Sequence, residues 1–314
     1  MTDGATAALT DKSVGTIKIG DRTVRRLGFG AMRITGPGIW GPPPDQDGAI
    51  AVLRRAVELG VNLIDTADSY GPEVSEELIA EALYSYPEDL LIATKGGLLR
   101  TGPARWPADG RPEHLREACE GSLRRLRLEA IDLYQHHRPD PKVPYEESIG
   151  ALKQLQDAGK IRHIGVSNVS VEQLETAREI VEIVSVQNRF NLTDRRSQEV
   201  LERCEELGVA FFPWAPIAAG ELAEPGGPVD RIASEHTASP SQVALAWLMA
   251  RSRVIVPIPG TSSVEHLEEN LAAPALRLSE EEVAELESAA AGAKERPGPR
   301  SPAFPALSVF GVRS

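Results

Sequence analysis

Three apolar segments of the chain each end in side chains suited to proton chemistry. "NLIDTADSYG" (62–71) delivers Asp65 and, five residues on, Tyr70; "LLIATK" ends at Lys95, and "IDLYQHH" at His136 and His137. A phenol with its ordinary pKa near 10 exchanges its proton poorly at neutral pH, and a neighbouring ammonium lowers that value. Lys95 is expected to act on Tyr70 in this way. Asp65 would hold Lys95 in place and charged, and His136 would polarise a carbonyl oxygen or assist Tyr70. Such a set moves a proton but supplies no electrons, so a hydride donor must work beside it.

Taken singly, each residue has a plainer use. Asp65 could cap a turn, Tyr70 could pack as a surface aromatic, and Lys95 could simply end a strand. Asp68, in the same loop as Tyr70, has no assigned role. The two adjacent histidines might suggest a metal, but neighbours on a strand point to opposite faces, so His137 is expected to face away from His136. His163 begins its strand, at the far end from the others. No metal is expected.

The elements that must gather these residues follow from hydrophobic rhythm. Eight short apolar stretches ("RLGFGAM", "VNLIDT", "LLIATK", "IDLYQHH", "RHIGVSN", "IVSVQN", "VAFFPWAP" and "RVIVPIPG") alternate with amphipathic patterns at 46–59, 73–85, 112–126, 145–158, 171–181, 195–207 and 240–251. Pro112-Glu113, Asp194 and Ser239-Pro240 signal helix starts, and Gly60, Gly159 and Gly208 helix ends. Strands apolar on both faces belong to a parallel sheet. The α/β pattern predicts a (β/α)8 TIM barrel preceded by a β-hairpin at 14–25, turning at Gly20-Asp21. A doubly wound sheet is the alternative, but "GFGAMR" lacks that fold's third glycine and its acidic partner. In a barrel the C-terminal strand ends converge, which would bring Asp65, Lys95 and His136 to one pocket.

The later strand ends offer a cradle for a flat, charged cofactor. Ser167, Asn168 and Gln187 carry groups that suit a carboxamide. Trp214 offers a face for ring stacking, and "PIPGTSSVEHLEEN" places a Gly-Thr-Ser-Ser loop at a helix start, where a phosphate can bind.

The totals exclude other classes. With 34 basic and 46 acidic residues in 314, the net charge of −12 argues against nucleic acid or an anionic membrane as partner. No leader pattern and no apolar run of about 20 residues is present. The two cysteines, Cys119 and Cys204, lie in helical patterns and read as inert thiols. These features suggest a cytoplasmic protein, a monomer or weak homo-oligomer, with one domain over 1–314. Residues 1–13 are expected to be disordered, a last helix to span 279–290, and a tail over 291–314 to dock through Phe304, Leu307, Val309 and Phe310.

The quoted segments, with "GVNLIDTADSYG", "VQNRFN" and "PWAPIAAGEL", together resemble the aldo-keto reductase superfamily of NADPH-dependent barrels over about residues 16–290. The resemblance implies reduction of an aldehyde or ketone, with Asp65, Tyr70, Lys95 and His136 as the catalytic four and Tyr70 as general acid. It implies that Ser167, Asn168 and Gln187 hold the nicotinamide amide and that Trp214 stacks on its ring. Pro216, Ile217, Gly220 and Leu222 match the loop over the pyrophosphate. Gly260, Thr261, Ser262 and His266 match the 2′-phosphate site, and Glu269 and Asn270 the adenine contacts. Many members carry Lys or Arg where this chain has Ser262, Ser263 and His266, so NADPH is implied with a weakened preference over NADH. "ITGPGIWGPPPDQDGAIAVLRRAVELGVN" is most similar to a bacterial branch that includes pyridoxal reductases, which makes pyridoxal a candidate substrate. Met32, Trp40, Arg100 and Trp106 are the expected pocket wall, with Arg138 and a tail phenylalanine as further candidates. The alternative is a cofactor-bound regulatory or redox-sensing subunit with little turnover; a metal-dependent barrel hydrolase is a third possibility.

Overall fold

Short strands buried on both faces need a layer of helices on one side and each other on the other. The computed structural model, which describes residues 8–217 and 223–294, shows that arrangement. The strands are β1 (Thr16–Ile19), β2 (Arg22–Arg25), β3 (Phe29–Gly30), β4 (Leu63–Asp65), β5 (Leu91–Gly96), β6 (Ile131–His136), β7 (Ile161–Ser167), β8 (Ile183–Gln187) and β9 (Ala210–Phe211). β1 and β2 form an antiparallel hairpin, and β3 to β9 form one parallel sheet in chain order. The helices are α1 (Asp11–Val14), α2 (Gln46–Glu58), α3 (Val74–Leu83), α4 (Pro112–Leu126), α5 (Tyr145–Asp157), α6 (Val171–Ile180), α7 (Gln198–Leu207), α8 (Pro228–Glu235), α9 (Pro240–Arg251), α10 (Val264–Ala272) and α11 (Glu280–Lys294).

The eighth barrel strand is irregular, and proline is the reason. Residues 254–259 lie between β9 and β3: the Phe211 N–H donates to Val254 O, and the Val256 N–H to Phe211 O. On the other side Gly28 and Gly30 donate to the carbonyls of Pro257 and Pro259, at 2.9 and 3.1 Å. The two prolines have no N–H to give back, so the segment closes the barrel without forming a regular ladder. The (β/α)8 expectation therefore holds, with its last strand reduced to a proline-rich seam.

Side-chain parity divides the interior from the helix layer. On β4, β5 and β6, Leu63, Leu91, Ala93 and Leu133 pack with Ile19 and Val24 of the hairpin, which plugs the N-terminal end of the barrel. Ile64 and Ile92 face α2 and α3, and Tyr134 faces α4. At that plugged end His163 bonds Asp21 of the hairpin turn at 2.6 Å, far from the convergent strand ends.

Three expectations change. Residues 8–13 are not disordered: Leu9 is buried and its N–H donates to Leu59 O, and Thr10 caps α1 with a reciprocal Ser13 bond. A helix, α8, occupies 228–235 despite the Pro-Gly-rich stretch that precedes it, with Pro228 at its first position. The last helix runs on to Lys294. The tail residues Phe304, Leu307, Val309 and Phe310 lie outside the described residues. Among the described residues no helix is long and apolar enough to cross a membrane.

Closure of the seam depends on two facing glycines. A Cβ on Gly30 would lie 2.6 Å from Ile258 O, and one on Gly260 would collide with Gly30 O. Both obstacles are backbone and cannot rotate away. Gly30→Ala should therefore cost about 1–3 kcal/mol of stability, read as a lowered urea midpoint; an unchanged midpoint would show that the seam yields freely.

Candidate active site

Parallel register sets the candidate residues side by side. Asp65 pairs in register with Ala93, Lys95 with Gln135, and Ser167 with Gln187. One layer above the apolar plug, the interior thus turns polar. Lys95 Nζ donates to Asp65 Oδ2 at 2.7 Å, to Thr66 O at 2.7 Å and to Tyr70 Oη at 3.3 Å. An ammonium has three protons, and all three are used. Asp65 Oδ1 accepts from Gln135 Nε2 at 3.1 Å and from Gln187 Nε2 at 2.8 Å. Lys95 is wholly buried and Asp65 nearly so.

Electrostatics at Tyr70 depart from expectation. Burial is the largest influence and raises the phenol's pKa above its ordinary value, although Lys95 pulls it down. At Lys95 burial opposes the charge, but Asp65, with Tyr70, outweighs it and the ammonium is strengthened. The site thus holds a neutral phenol beside a fixed cation.

The histidine that faces Tyr70 is His137, not the expected His136. His136 follows strand alternation out of the barrel: its ring lies 5.7 Å from that of Tyr145 on α5, and neither ring nitrogen has a hydrogen-bond partner among the described residues. Burial pushes its pKa down to about 4. The inward series on β6 runs Leu133, Gln135 and then His137, whose ring meets Tyr70 edge-on at 6.0 Å. His137 Nδ1 lies 3.5 Å from Ser69 Oγ. Burial, with Lys95 nearby, holds His137 well below the usual imidazole range, hence neutral.

The carboxamide-binding candidates form a chain of mutual bonds. Ser167 Oγ donates to Gln187 O at 2.7 Å, and Asn168 Nδ2 donates to Ser167 Oγ and to His137 O. Trp214 Nε1 donates to Asn168 Oδ1 at 3.1 Å, which orients the indole at the strand end. Pro216 and Ile217 follow directly, whereas Gly220 and Leu222 lie outside the described residues. At the seam, Ser263 caps α10 by accepting from His266 N, and Thr261 Oγ1 accepts from Ser263 N. Ser262 and His266 are exposed. Glu269 binds the Ser239 hydroxyl that caps α9, and Asn270 is buried.

Of the pocket-wall candidates, Met32 and Trp106 pack against Tyr70 with Ile39 and Ala67. Trp106 meets Tyr70 edge-on at 6.2 Å, and Trp40 is 36% exposed at the mouth. Arg100 lies between the two indoles. Arg138 is half-buried beside His137.

The comparisons with known proteins bear on this geometry. The profile of the aldo/keto reductase family matches residues 26–291. The chain belongs to the aldo/keto reductase family. An uncharacterized oxidoreductase of Schizosaccharomyces pombe is 50% identical over 90% of this chain and 92% of its own. Pyridoxine 4-dehydrogenase of Escherichia coli is 43% identical over 88% of this chain and 98% of its own. Among solved structures, the glycerol dehydrogenase of Gluconobacter oxydans aligns with a TM-score of 0.79 at 29% identity, covering 93% of this chain and 99% of that one. An aldo/keto reductase of Klebsiella pneumoniae in complex with NADP and acetate aligns with a TM-score of 0.73 at 25% identity, covering 87% and 94%.

Sequence reasoning about this aldo/keto reductase missed Gln135 and His137. Both were legible as the next inward positions after Leu133 on β6, since a polar side chain at an inward strand position must bond something there. The raised phenol gives a direct check. The tyrosinate absorbance of the native protein minus that of Tyr70→Phe should show Tyr70 ionising above about pH 10; a midpoint below that value would mean that Lys95 outweighs burial.

Proposed function

We propose that this oxidoreductase reduces an aldehyde or ketone to the alcohol with NADPH. The observation that carries the reading is the Tyr70 phenol, 3.3 Å from a buried ammonium and edge-on to a neutral imidazole, at the mouth of the barrel. The donor set fits the cofactor: a hydroxyl and two amides at adjacent strand ends match a carboxamide, and a hydroxyl-rich helix start matches a phosphate. Ser167, Asn168 and Gln187 would hold the nicotinamide amide, with Trp214 beside the ring. Thr261, Ser262 and His266 would meet the 2′-phosphate, and Glu269 and Asn270 the adenine. When bound, NADPH supplies the hydride to the carbonyl carbon.

The chain's own residues manage the proton. Tyr70 Oη gives its proton to the carbonyl oxygen, and the resulting phenolate is held by the Lys95 ammonium. Asp65 fixes Lys95 from below, so the cation is in place before charge develops. His137, being neutral, can donate one hydrogen bond to the same oxygen and orient the carbonyl. Trp106 and Met32 exclude water around the phenol.

Pyridoxal is the substrate we favour for testing. The relative of 43% identity is named for the corresponding alcohol, and two indoles at the mouth suit an aromatic aldehyde. A screen of carbonyl compounds followed by NADPH absorbance should show steady-state turnover. A single turnover that then stops would favour a redox-sensing role, and comparable efficiency with NADH would remove the NADPH preference. Tyr70→Phe should lose at least about 10²-fold in kcat while its Kd for NADPH stays near that of the native chain. Replacing His137 should depress kcat/KM, whereas His136→Phe should not; the reverse order would restore the first assignment.

The pH dependence follows from the same groups. His137 has a lowered pKa, so acidification through the ordinary imidazole value leaves it neutral. Tyr70 has a raised pKa, so it stays protonated as pH rises toward its ordinary value. The reductive kcat/KM should therefore be flat from about pH 6 to about pH 9; a step near 6.5 would implicate histidine protonation.

A further inference from the structure

Arg100, expected in the pocket wall, turns its donors elsewhere. It stands in the loop after β5, and its guanidinium is layered between Trp106, 3.6 Å from the ring centroid, and Trp40, at 5.3 Å. Nη1 donates to Ser69 O at 2.8 Å. Nη2 donates to Gly38 O at 3.3 Å and to Gly102 O at 3.4 Å. Among the described residues the buried Nε atom has no partner, and burial lowers the group's pKa.

These three carbonyls belong to three different strand-end loops. Gly38 lies in the loop after β3, Ser69 in the loop after β4, and Gly102 in the loop after β5. The first two loops also touch directly, through a parallel bridge between Trp40 and Gly71. Ser69 immediately precedes Tyr70. A half-buried cation bonded only to carbonyl oxygens is costly unless geometry requires it. A planar fork that reaches several acceptors at fixed angles is a property of arginine that lysine lacks.

We propose that Arg100 is a positioning residue: it pins the Tyr70 loop beneath the two loops that wall the pocket, and so sets where the phenol stands. This rests on the functional reading above, in which Tyr70 protonates the substrate. The partners of Arg100 among the described residues are Ser69, Gly38, Gly102, Trp40 and Trp106, so removing the pin spares Lys95 and Asp65 directly. What is lost is the alignment of the phenol with the carbonyl oxygen, where a displacement of about 1 Å can cost about 10²-fold in rate.

The test compares the native chain with Arg100→Ala and Arg100→Lys. Amide hydrogen exchange over residues 66–73, which needs no turnover, should accelerate at least about tenfold in both variants. The single-turnover rate of NADPH oxidation at saturating carbonyl substrate should fall by about 10²-fold, while the Kd for NADPH stays within about twofold. Guanidinium ion at about 10 mM, far below denaturing concentrations, should restore part of the rate to Arg100→Ala. Lysine should not substitute, because it keeps the charge but cannot span three carbonyls. The proposal fails if exchange at 66–73 is unchanged, or if Arg100→Lys behaves like the native chain. It also fails if only KM rises, which would make Arg100 a substrate contact, or if guanidinium restores nothing. If the native chain reduces no carbonyl compound, the functional reading falls, while the exchange measurement still decides the role of Arg100.

Discussion

A lysine and an aspartate wholly inside a barrel constrain everything around them. Desolvating two charges costs several kcal/mol per ion, and the pair recovers this only when every proton and lone pair finds a partner. Here every ammonium proton does: Lys95 spends all three on Asp65, Thr66 O and Tyr70, while Asp65 takes both glutamine amides on its other oxygen. Those partners come from β4, β5, β6 and β8 and from the loop after β4. Four strands are therefore locked in relative height by one ion pair. Such a pair is weak evidence for stability, and it makes better sense as a device that holds a cation ready beside a phenol.

The same constraint explains the layering of the interior. Apolar side chains fill the end plugged by the hairpin and polar ones fill the open end, within one or two residues along each strand. At the open end burial matters as much as charge. It favours a protonated Tyr70 and a neutral His137, both forms that can donate a hydrogen bond. The network extends outward through Gln187, Ser167, Asn168 and Trp214, each oriented by the next.

Much of this was legible in the chain itself, for physical reasons. Two-faced apolar strands at regular spacing admit few folds, and Asp65, Tyr70 and Lys95 sit where strand ends must converge. The histidine was misplaced because adjacent residues on a strand differ only in parity, and the end of β6 gives no local sign of which one faces inward. Counting alternate positions from Leu133 through Gln135 settles it. Lys95 does pull the Tyr70 pKa down as expected, but the net shift is upward, because burial, of which sequence carries no measure, outweighs the ammonium. α1 and α8 escaped notice because they are short: Thr10 and Ser13 cap α1 reciprocally, and α8 is held by burial of Val229, Ile232 and Ala233. Arg100 was placed near the right residues, but its attachment to three carbonyls belongs to loop geometry that no pattern records.

The proline-rich eighth strand has a further consequence. The seam between it and β3 is stitched from one side only, by Gly28 and Gly30, and the loop at 260–263 hangs from its upper edge. Ser167, Asn168 and Gln187, proposed to hold the carboxamide, stand at the ends of β7 and β8. A long dinucleotide touching them and that loop would act as a clasp over a join that is bonded from one side only. Its binding energy would then also tighten the ring that carries Lys95 and Asp65.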